Sequence, residues 1–128
     1  EYARSVLPNH VPFKEAVQNV SHASLFVTSL ITNQLTNLEV ALEDNLHVPY
    51  RKTLIPHCDK VFSAAKAAGA YGATISGSGS TLIAYTDKAH VQTVAEAMGQ
   101  IFDFHGIENK VYILEADTIG ATTIQNVI

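Results

Sequence analysis

The sequence has little of several residue types that would mark a class of protein. A single cysteine, Cys58, excludes an internal disulfide and fits a reducing cytoplasm, so we expect its side chain to be a small buried hydrophobe. Apolar runs are only a few residues long, which excludes a membrane-spanning helix. Eight Lys and Arg against twelve Asp and Glu give a net charge of −4, which disfavours nucleic acid as a partner. We therefore expect a cytoplasmic protein that binds neither membrane nor nucleic acid.

Motifs for metal binding and for nucleophilic catalysis are also lacking. The six histidines never recur at the spacing that places two ligands on one helix face, so no metal site is predicted. The serines of SGSGS (76–80) lie between two predicted strands, whereas a nucleophile elbow joins a strand to a helix. The carboxylates of Glu39, Glu43 and Asp44 are interpreted as the solvated side of a helix. The sequence thus leaves any catalytic residue unknown.

A stretch of small residues between two apolar runs is the most informative feature that is present. Residues 73–76 and 81–85 flank a turn of Gly77, Ser78, Gly79 and Ser80, which predicts a β-hairpin. The glycines would let backbone N–H groups approach an anion or another loop. A plain turn stays an alternative, because glycine and serine are common in turns. The stretch matches neither a Walker A loop nor a Gly-x-Gly-x-x-Gly fingerprint.

Helical periodicity dominates the first half of the chain. Residues 1–12 contain two prolines and predict an irregular lead-in. Over residues 13–31 the apolar positions recur every three or four residues, which predicts one apolar face on a long helix. Thr36 and Glu39 have the spacing of a capping box and predict a second helix, whose apolar face includes Leu46. The two helices should form a helical hairpin.

Two further helices are predicted on either side of the β-hairpin. Residues 46–51 are interpreted as a loop, because the residue before a proline avoids the helical region. A helix over about residues 56–68 should end at Gly69, which can adopt the left-handed conformation. After the β-hairpin, Asp87 is predicted to cap a helix that ends at Gly106.

Two more strands complete the predicted order of elements. Residues 109–115 alternate in the manner of a strand, and residues 121–128 are β-branched enough to add another. The whole order predicts one α+β domain over residues 1–128, with helices on one face of an antiparallel sheet. It is similar to the ferredoxin-like β-α-β-β-α-β unit, with the first crossover expanded to several helices and the first strand missing from the chain.

The missing first strand has consequences for the rest of the sheet. It would precede Glu1, and because it is central in such a sheet, its absence leaves ladder groups that another strand must pair. The tail from Ala121, or a strand from another copy, could take its place. Since the chain opens without an initiator methionine, we expect it to be a piece of a larger protein.

Two arginines stand out as candidate ligand-binding residues. Arg4 and Arg51 each lie in a predicted loop that is rich in proline. Arginine in a rigid loop can fork a carboxylate or a phosphate through two parallel hydrogen bonds. The alternative is that both are solvated surface side chains, as most arginines are.

Several motifs together resemble a known family. They are ARSVLP (3–8), AVQN (16–19), LHVPYR (46–51) and GAYGATISGSGST (69–81), and the likeness that they mark extends over essentially the whole chain. In this combination they resemble the C-terminal half of the homoserine kinases. The glycine-rich segment alone is similar to the third motif of the wider superfamily of galactose, homoserine, mevalonate and phosphomevalonate kinases.

The resemblance implies an activity and a set of site residues. The activity is ATP-dependent phosphorylation of L-homoserine to O-phospho-L-homoserine, in threonine biosynthesis. ATP and Mg²⁺ would be bound mainly by an N-terminal nucleotide-binding domain outside this chain, so this part alone should be inactive. Arg4 and Arg51 would hold the carboxylate of homoserine, and His47 would support Arg51. Gly77 would line the cleft together with its neighbours in the glycine-rich loop, Ser76, Ser78, Gly79 and Ser80.

Two other functions stay open on the sequence. One is a non-catalytic ferredoxin-like module that senses an amino acid. The other is a different kinase of the same superfamily, such as a mevalonate-type enzyme. A homodimer is also left open.

Overall fold

The computed structural model describes residues 2–123. Within them the chain forms six helices and one two-stranded antiparallel sheet, an α+β arrangement. None of the described helices is both long enough and apolar enough to cross a membrane. In chain order the elements are α1 (Tyr2–Ser5), α2 (Phe13–Ile31), α3 (Leu38–Ala41), α4 (Val48–Arg51), α5 (Cys58–Ala67), β1 (Gly72–Ile75), β2 (Leu82–Tyr85) and α6 (Val91–Phe104).

The β-hairpin forms where the sequence predicts it. Strands β1 and β2 pair antiparallel, with Gly72 opposite Tyr85 and Ile75 opposite Leu82. The connecting turn is closed by a hydrogen bond of 2.9 Å from the Ser76 N–H to the Thr81 carbonyl. Glycine is favoured at positions 77 and 79 of this turn, because their φ values of +59° and +82° lie in the left-handed region, which residues with a Cβ rarely adopt.

Helices α5 and α6 pack against each other and carry much of the core. Val61 and Ala65 of α5 are fully buried, and Val94 and Ala95 of α6 are buried as well. The predicted end of α5 is confirmed, since Gly69 has a φ of +106° just past the helix. Gly106 likewise follows α6 with a φ of +67°.

A small apolar cluster lies beneath the hairpin. Ile55, Cys58 and Ile75 are its buried members, and Val48, Phe62, Leu82 and Phe102 pack around them. The prediction that Cys58 is a small buried hydrophobe is confirmed, because its side chain is 3% exposed. The cluster joins the start of α5 to the end of β1.

The predicted apolar face of α2 does not point into the core. Phe13 is 85% exposed and Ile31 is 79% exposed, at the two ends of that face. The inward side of the helix instead buries His22 and Ser29. Nδ1 of His22 donates a hydrogen bond of 2.8 Å to the Glu43 carbonyl, so the buried ring has a partner. Periodicity shows that α2 is amphipathic but not which surface covers its apolar side.

Three predictions for the first half of the chain need correction. The second helix, α3, is a single turn that ends at Ala41, and the side chain of Thr36 does not cap it. Leu46 therefore lies beyond the helix. The lead-in contains the short helix α1, and the predicted loop at 46–51 contains α4. Pro49 sits in the first turn of α4, where the missing N–H costs nothing.

Two predictions for the second half also change. Asp87 caps the turn before α6 rather than the helix itself, since its Oδ1 accepts the His90 N–H at 2.9 Å and α6 begins at Val91. The strand predicted at 109–115 is absent from the described part of the chain, because no neighbouring backbone lies alongside to form a ladder. Residues 121–123 are not a strand, and 124–128 lie outside the described residues. The ferredoxin-like order stays a prediction.

Gly72 provides a test of how closely β1 approaches α3. A Cβ built on Gly72 would lie 2.9 Å from the Leu38 carbonyl oxygen and 2.7 Å from a methyl of Leu42. Gly72→Ala should therefore lower the free energy of unfolding by about 1–3 kcal/mol, measured by urea denaturation. The matched control is Gly99→Ala in α6, whose Cβ would meet only the movable side chains of Val111 and Asn109. Equal stability of the two variants would contradict the close approach.

Cys58 should be unreactive in the folded protein. Burial raises the pKa of the thiol to about 11. The negative charge of Asp59 adds to this rise, and the positive charge of Lys52 partly opposes it. At about pH 8, we expect the thiol to react with a disulfide reagent about a hundredfold more slowly than a free cysteine. Addition of urea should restore the ordinary rate. Fast labelling of the folded protein would show that the thiol is accessible and ionised.

Candidate functional site

Three separate segments meet at one cleft. Ala3 and Arg4 come from α1, Arg51 is the last residue of α4, and Ser78 lies in the hairpin turn. The cleft has a volume of about 550 Å³. The two arginines singled out in the sequence are thus brought together with the glycine-rich turn.

Arg51 is fixed by main-chain oxygens from both of the other segments. Its Nε donates to the Ala3 carbonyl at 3.1 Å, and its Nη1 donates to the Gly77 carbonyl at 3.0 Å. A guanidinium carries more N–H donors than these two bonds use. Arg51 can therefore hold the segments together and still present donors to a ligand.

The positive charge of the cleft is not neutralised by the described part of the chain. Within residues 2–123, neither Arg4 nor Arg51 forms an ion pair; the ion pairs involve histidines and lysines instead. The partners of Arg51 are carbonyls, which orient it without cancelling its charge. Two uncompensated guanidinium groups at one cleft suit a carboxylate or a phosphate.

The glycine-rich turn contributes unequally to the cleft. Ser78 lines it, and Gly77 supplies the carbonyl that holds Arg51. Gly79 faces the core instead, where a Cβ would lie 3.1 Å from Ile55. Ser76 and Ser80 are exposed but are not among the lining residues. Gly79 therefore contacts the core, while Gly77 and Ser78 are the turn residues at the cleft.

Asp44 is a structural residue of the site that the sequence interpretation missed. Its Oδ2 accepts the N–H groups of Leu46, His47 and Val48 at 3.1, 2.6 and 2.7 Å. Its Oδ1 accepts the Asn19 amide at 2.6 Å. The carboxylate is therefore not on the solvated side of a helix, because it holds the segment that begins α4. An aspartate shortly before a proline-started helix is the signal that could have identified it.

The environment of Asp44 favours the ionised carboxylate. Burial by itself would raise the pKa, but hydrogen bonds from the N–H groups of Val48 and His47 and from the Asn19 side chain outweigh it. The pKa of Asp44 is consequently below its ordinary value. The carboxylate is charged at neutral pH and accepts all four hydrogen bonds.

His47 lies beside Asp44 rather than against the Arg51 side chain. Its Nε2 is 3.8 Å from Asp44 Oδ1, and its buried Nδ1 has no partner among the described residues. The backbone carbonyl of His47 accepts the Arg51 N–H at 2.9 Å. Any support that His47 gives to Arg51 therefore runs through the backbone in this structure, and its functional role stays a prediction.

The residues around the cleft do not fit a bound metal ion. Across residues 2–123, no three His, Cys, Asp or Glu side chains come together in a way that could hold one. The described residues around the cleft therefore offer no set of ligands for Mg²⁺.

Comparison with known proteins defines the class to which the chain belongs. Residues 26–103, well over half of the chain, match the family model described as GHMP kinases C terminal. The chain therefore belongs to the GHMP kinase C-terminal family.

Among individual proteins of known function, the chain is similar to homoserine kinases. It is 46% identical over 120 residues to the homoserine kinase of Trichormus variabilis and 40% identical over 121 residues to that of Persephonella marina. The crystal structure of homoserine kinase from Cytophaga hutchinsonii matches 87% of this chain and 36% of that one, with a TM-score of 0.82 and 34% identity. The alignments cover 94% of this chain but 40% of each curated relative, so the chain spans about two fifths of their length.

The hydrogen bonds of Asp44 should make folding stability depend on acid pH. Because the pKa is lowered in the folded state, the carboxylate stabilises the fold above its unfolded pKa of about 3.9, and this contribution is lost as pH falls through the folded pKa. Asp44→Asn, which does not ionise, should be less stable than wild type at about pH 6, and the difference should shrink toward about pH 2. Urea unfolding at several pH values measures this difference. A constant difference across that range would contradict the assignment.

Proposed function

We propose that this chain is the C-terminal, substrate-binding part of a homoserine kinase, which transfers a phosphoryl group from ATP to the side-chain hydroxyl of L-homoserine. The observation that carries the proposal is the meeting of Arg4 and Arg51, without ion-pair partners among the described residues, at one cleft beside Ser78. Similarity to homoserine kinases over 94% of the chain supports the substrate class.

The proposed task of the two arginines is to bind the carboxylate of the amino acid. Two guanidinium groups approaching from different segments would fix both the position and the direction of a carboxylate through charge-assisted hydrogen bonds. Held at this end, homoserine would present its side-chain hydroxyl at a reproducible place in the cleft. Phosphoryl transfer depends chiefly on such positioning and on stabilising charge.

The remaining parts of the reaction would come from outside this chain. We propose that an N-terminal nucleotide-binding domain holds ATP and Mg²⁺, whose charge offsets that of the transferring phosphate when it is bound. These residues alone would then show no turnover. We further propose that the enzyme is cytoplasmic and serves threonine biosynthesis.

The test of the proposed function is an assay of the full-length protein with ATP. Release of ADP in a coupled assay should be stimulated by L-homoserine and not by mevalonate or galactose, with O-phospho-L-homoserine as the product. Residues 1–128 alone should be inactive under the same conditions. Stimulation by mevalonate instead, or no turnover with homoserine, would refute the proposal.

Substitution of the arginines should weaken homoserine binding selectively. Arg51→Ala in the full-length enzyme should raise the KM for homoserine about 10- to 100-fold, with the KM for ATP changed less than about threefold, because a charge-assisted pair to the carboxylate is lost. Arg4→Ala should act in the same direction. Steady-state kinetics with each substrate varied in turn measure both effects.

Lys52→Ala is the matched control for these variants. Lys52 follows Arg51 in the sequence, but its amine pairs with Asp59 at 3.0 Å on the exposed surface. Its removal should leave both KM values within about twofold, as is usual for an exposed ion pair. A rise in the KM for ATP on substitution of Arg51 would reassign that side chain to the nucleotide.

A further inference from the structure

Asp44 is hydrogen-bonded to the segment that carries Arg51, although it is not among the residues that line the cleft. From this arrangement we infer that Asp44 is a positioning residue, which sets where the Arg51 guanidinium stands in the cleft. The inference rests on the proposed function for its kinetic readout. The expected displacement of Arg51 when Asp44 is substituted does not depend on the identity of the substrate.

The first step is the anchoring of Asp44 to α2. Asn19 on that helix donates to Asp44 Oδ1 at 2.6 Å and accepts the Asn45 N–H at 2.8 Å through its own Oδ1. The Asn19 amide thus pairs with two consecutive residues at once. The side chain of Asp44 is 13% exposed, so water is largely kept from these bonds.

The second step leads from Asp44 to the start of α4. The other carboxylate oxygen accepts three consecutive N–H groups, those of Leu46, His47 and Val48. Helix α4 is only four residues long. A helix of one turn is not stable by itself in water, so its direction depends on such external hydrogen bonds.

The third step leads from α4 to the guanidinium. The His47 carbonyl accepts the N–H groups of Tyr50 at 3.2 Å and Arg51 at 2.9 Å, which closes the single turn. The backbone of Arg51 is therefore one turn away from the anchored residues. Its side chain then reaches Ala3 and Gly77. A displaced start of α4 would move the guanidinium relative to both carbonyls.

The test uses a substitution and a compensating pair in the full-length enzyme. In Asp44→Asn, the oxygen of the new amide can still accept from the three backbone N–H groups. Its nitrogen then lies opposite the amide nitrogen of Asn19, and because both groups are donors, no hydrogen bond forms between them. The double variant Asn19→Asp with Asp44→Asn exchanges the two groups and restores every hydrogen bond of the pair. Asp59→Asn is the matched control, because Asp59 is an exposed carboxylate whose side chain is 72% accessible.

Selective kinetics are expected if Asp44 positions Arg51. Asp44→Asn should raise the KM for homoserine about tenfold and leave the KM for ATP within about twofold. The double variant should return the KM for homoserine to within about threefold of wild type, and Asp59→Asn should not change it. An unchanged KM in Asp44→Asn, an equal rise in both KM values, or no recovery in the double variant would overturn the inference.

A spectroscopic readout separates this inference from the proposed function. In the enzyme labelled with ¹⁵N-arginine, the Arg51 Nε–H signal, assigned by its loss in Arg51→Lys, should exchange slowly with water because it is bonded to the Ala3 carbonyl. Exchange should be about tenfold faster in Asp44→Asn and should recover in the double variant. If the wild-type enzyme did not phosphorylate homoserine, the proposed function would fail, but the exchange rate of Arg51 Nε–H would still test the positioning role of Asp44. Unchanged exchange in Asp44→Asn would overturn that role.

Should Asp44→Asn fail to fold, Asn19→Ala gives the same comparison. It removes only the α2 side of the pair and leaves the carboxylate on its three N–H groups. A smaller rise in the KM for homoserine, about threefold, with faster exchange at Arg51 Nε, is then expected. Wild-type values for both would overturn the inference.

Discussion

Arg51 is held in place by two main-chain carbonyls, those of Ala3 and Gly77, and these two hydrogen bonds join the segments that line the cleft. A carboxylate in either position would have oriented the guanidinium equally well, but it would also have cancelled its charge. Neutral acceptors orient the group and leave its electrostatic attraction for an anion intact. The same bonds join α1, α4 and the hairpin turn, which are far apart in the sequence. One side chain thus links the three segments and keeps its positive charge at the cleft.

The parts of the fold that sequence could predict are those that local interactions determine. The hairpin, α2, α5 and α6 follow from periodicity and from glycine at the helix ends and in the turn. The short helices α1 and α4 were missed, because one turn has too few residues to show a period. The strand expected at 109–115 requires a neighbour, which no local pattern can guarantee. Periodicity predicts that α2 has an apolar face. Whether that face points into the core depends on what surrounds the helix, which periodicity does not show.

The candidate site also has a part that the sequence predicts and a part that it does not. Arg4, Arg51 and the glycine-rich turn were selected by residue type and by resemblance, and the structure brings Arg4, Arg51, Gly77 and Ser78 together. The sequence pattern predicts a solvated carboxylate at Asp44, because Glu39, Glu43 and Asp44 fall on the polar side of the predicted second helix. That helix ends at Ala41, and this one difference turns Asp44 from the surface toward the backbone of residues 46–48. An error in a helix boundary was therefore also an error about the site.

The outward row of apolar residues on α2 bears on how the polypeptide behaves in solution. Phe13, Val20 and Ile31 are each more than two thirds exposed, and they lie on one side of a helix of 19 residues. Contiguous apolar surface of this kind favours association between molecules without adding to the folding of any one of them. In these residues taken alone, a polar replacement at Val20 or Ile31 would therefore change association more than it changes the stability of the fold, because neither side chain packs in the described core.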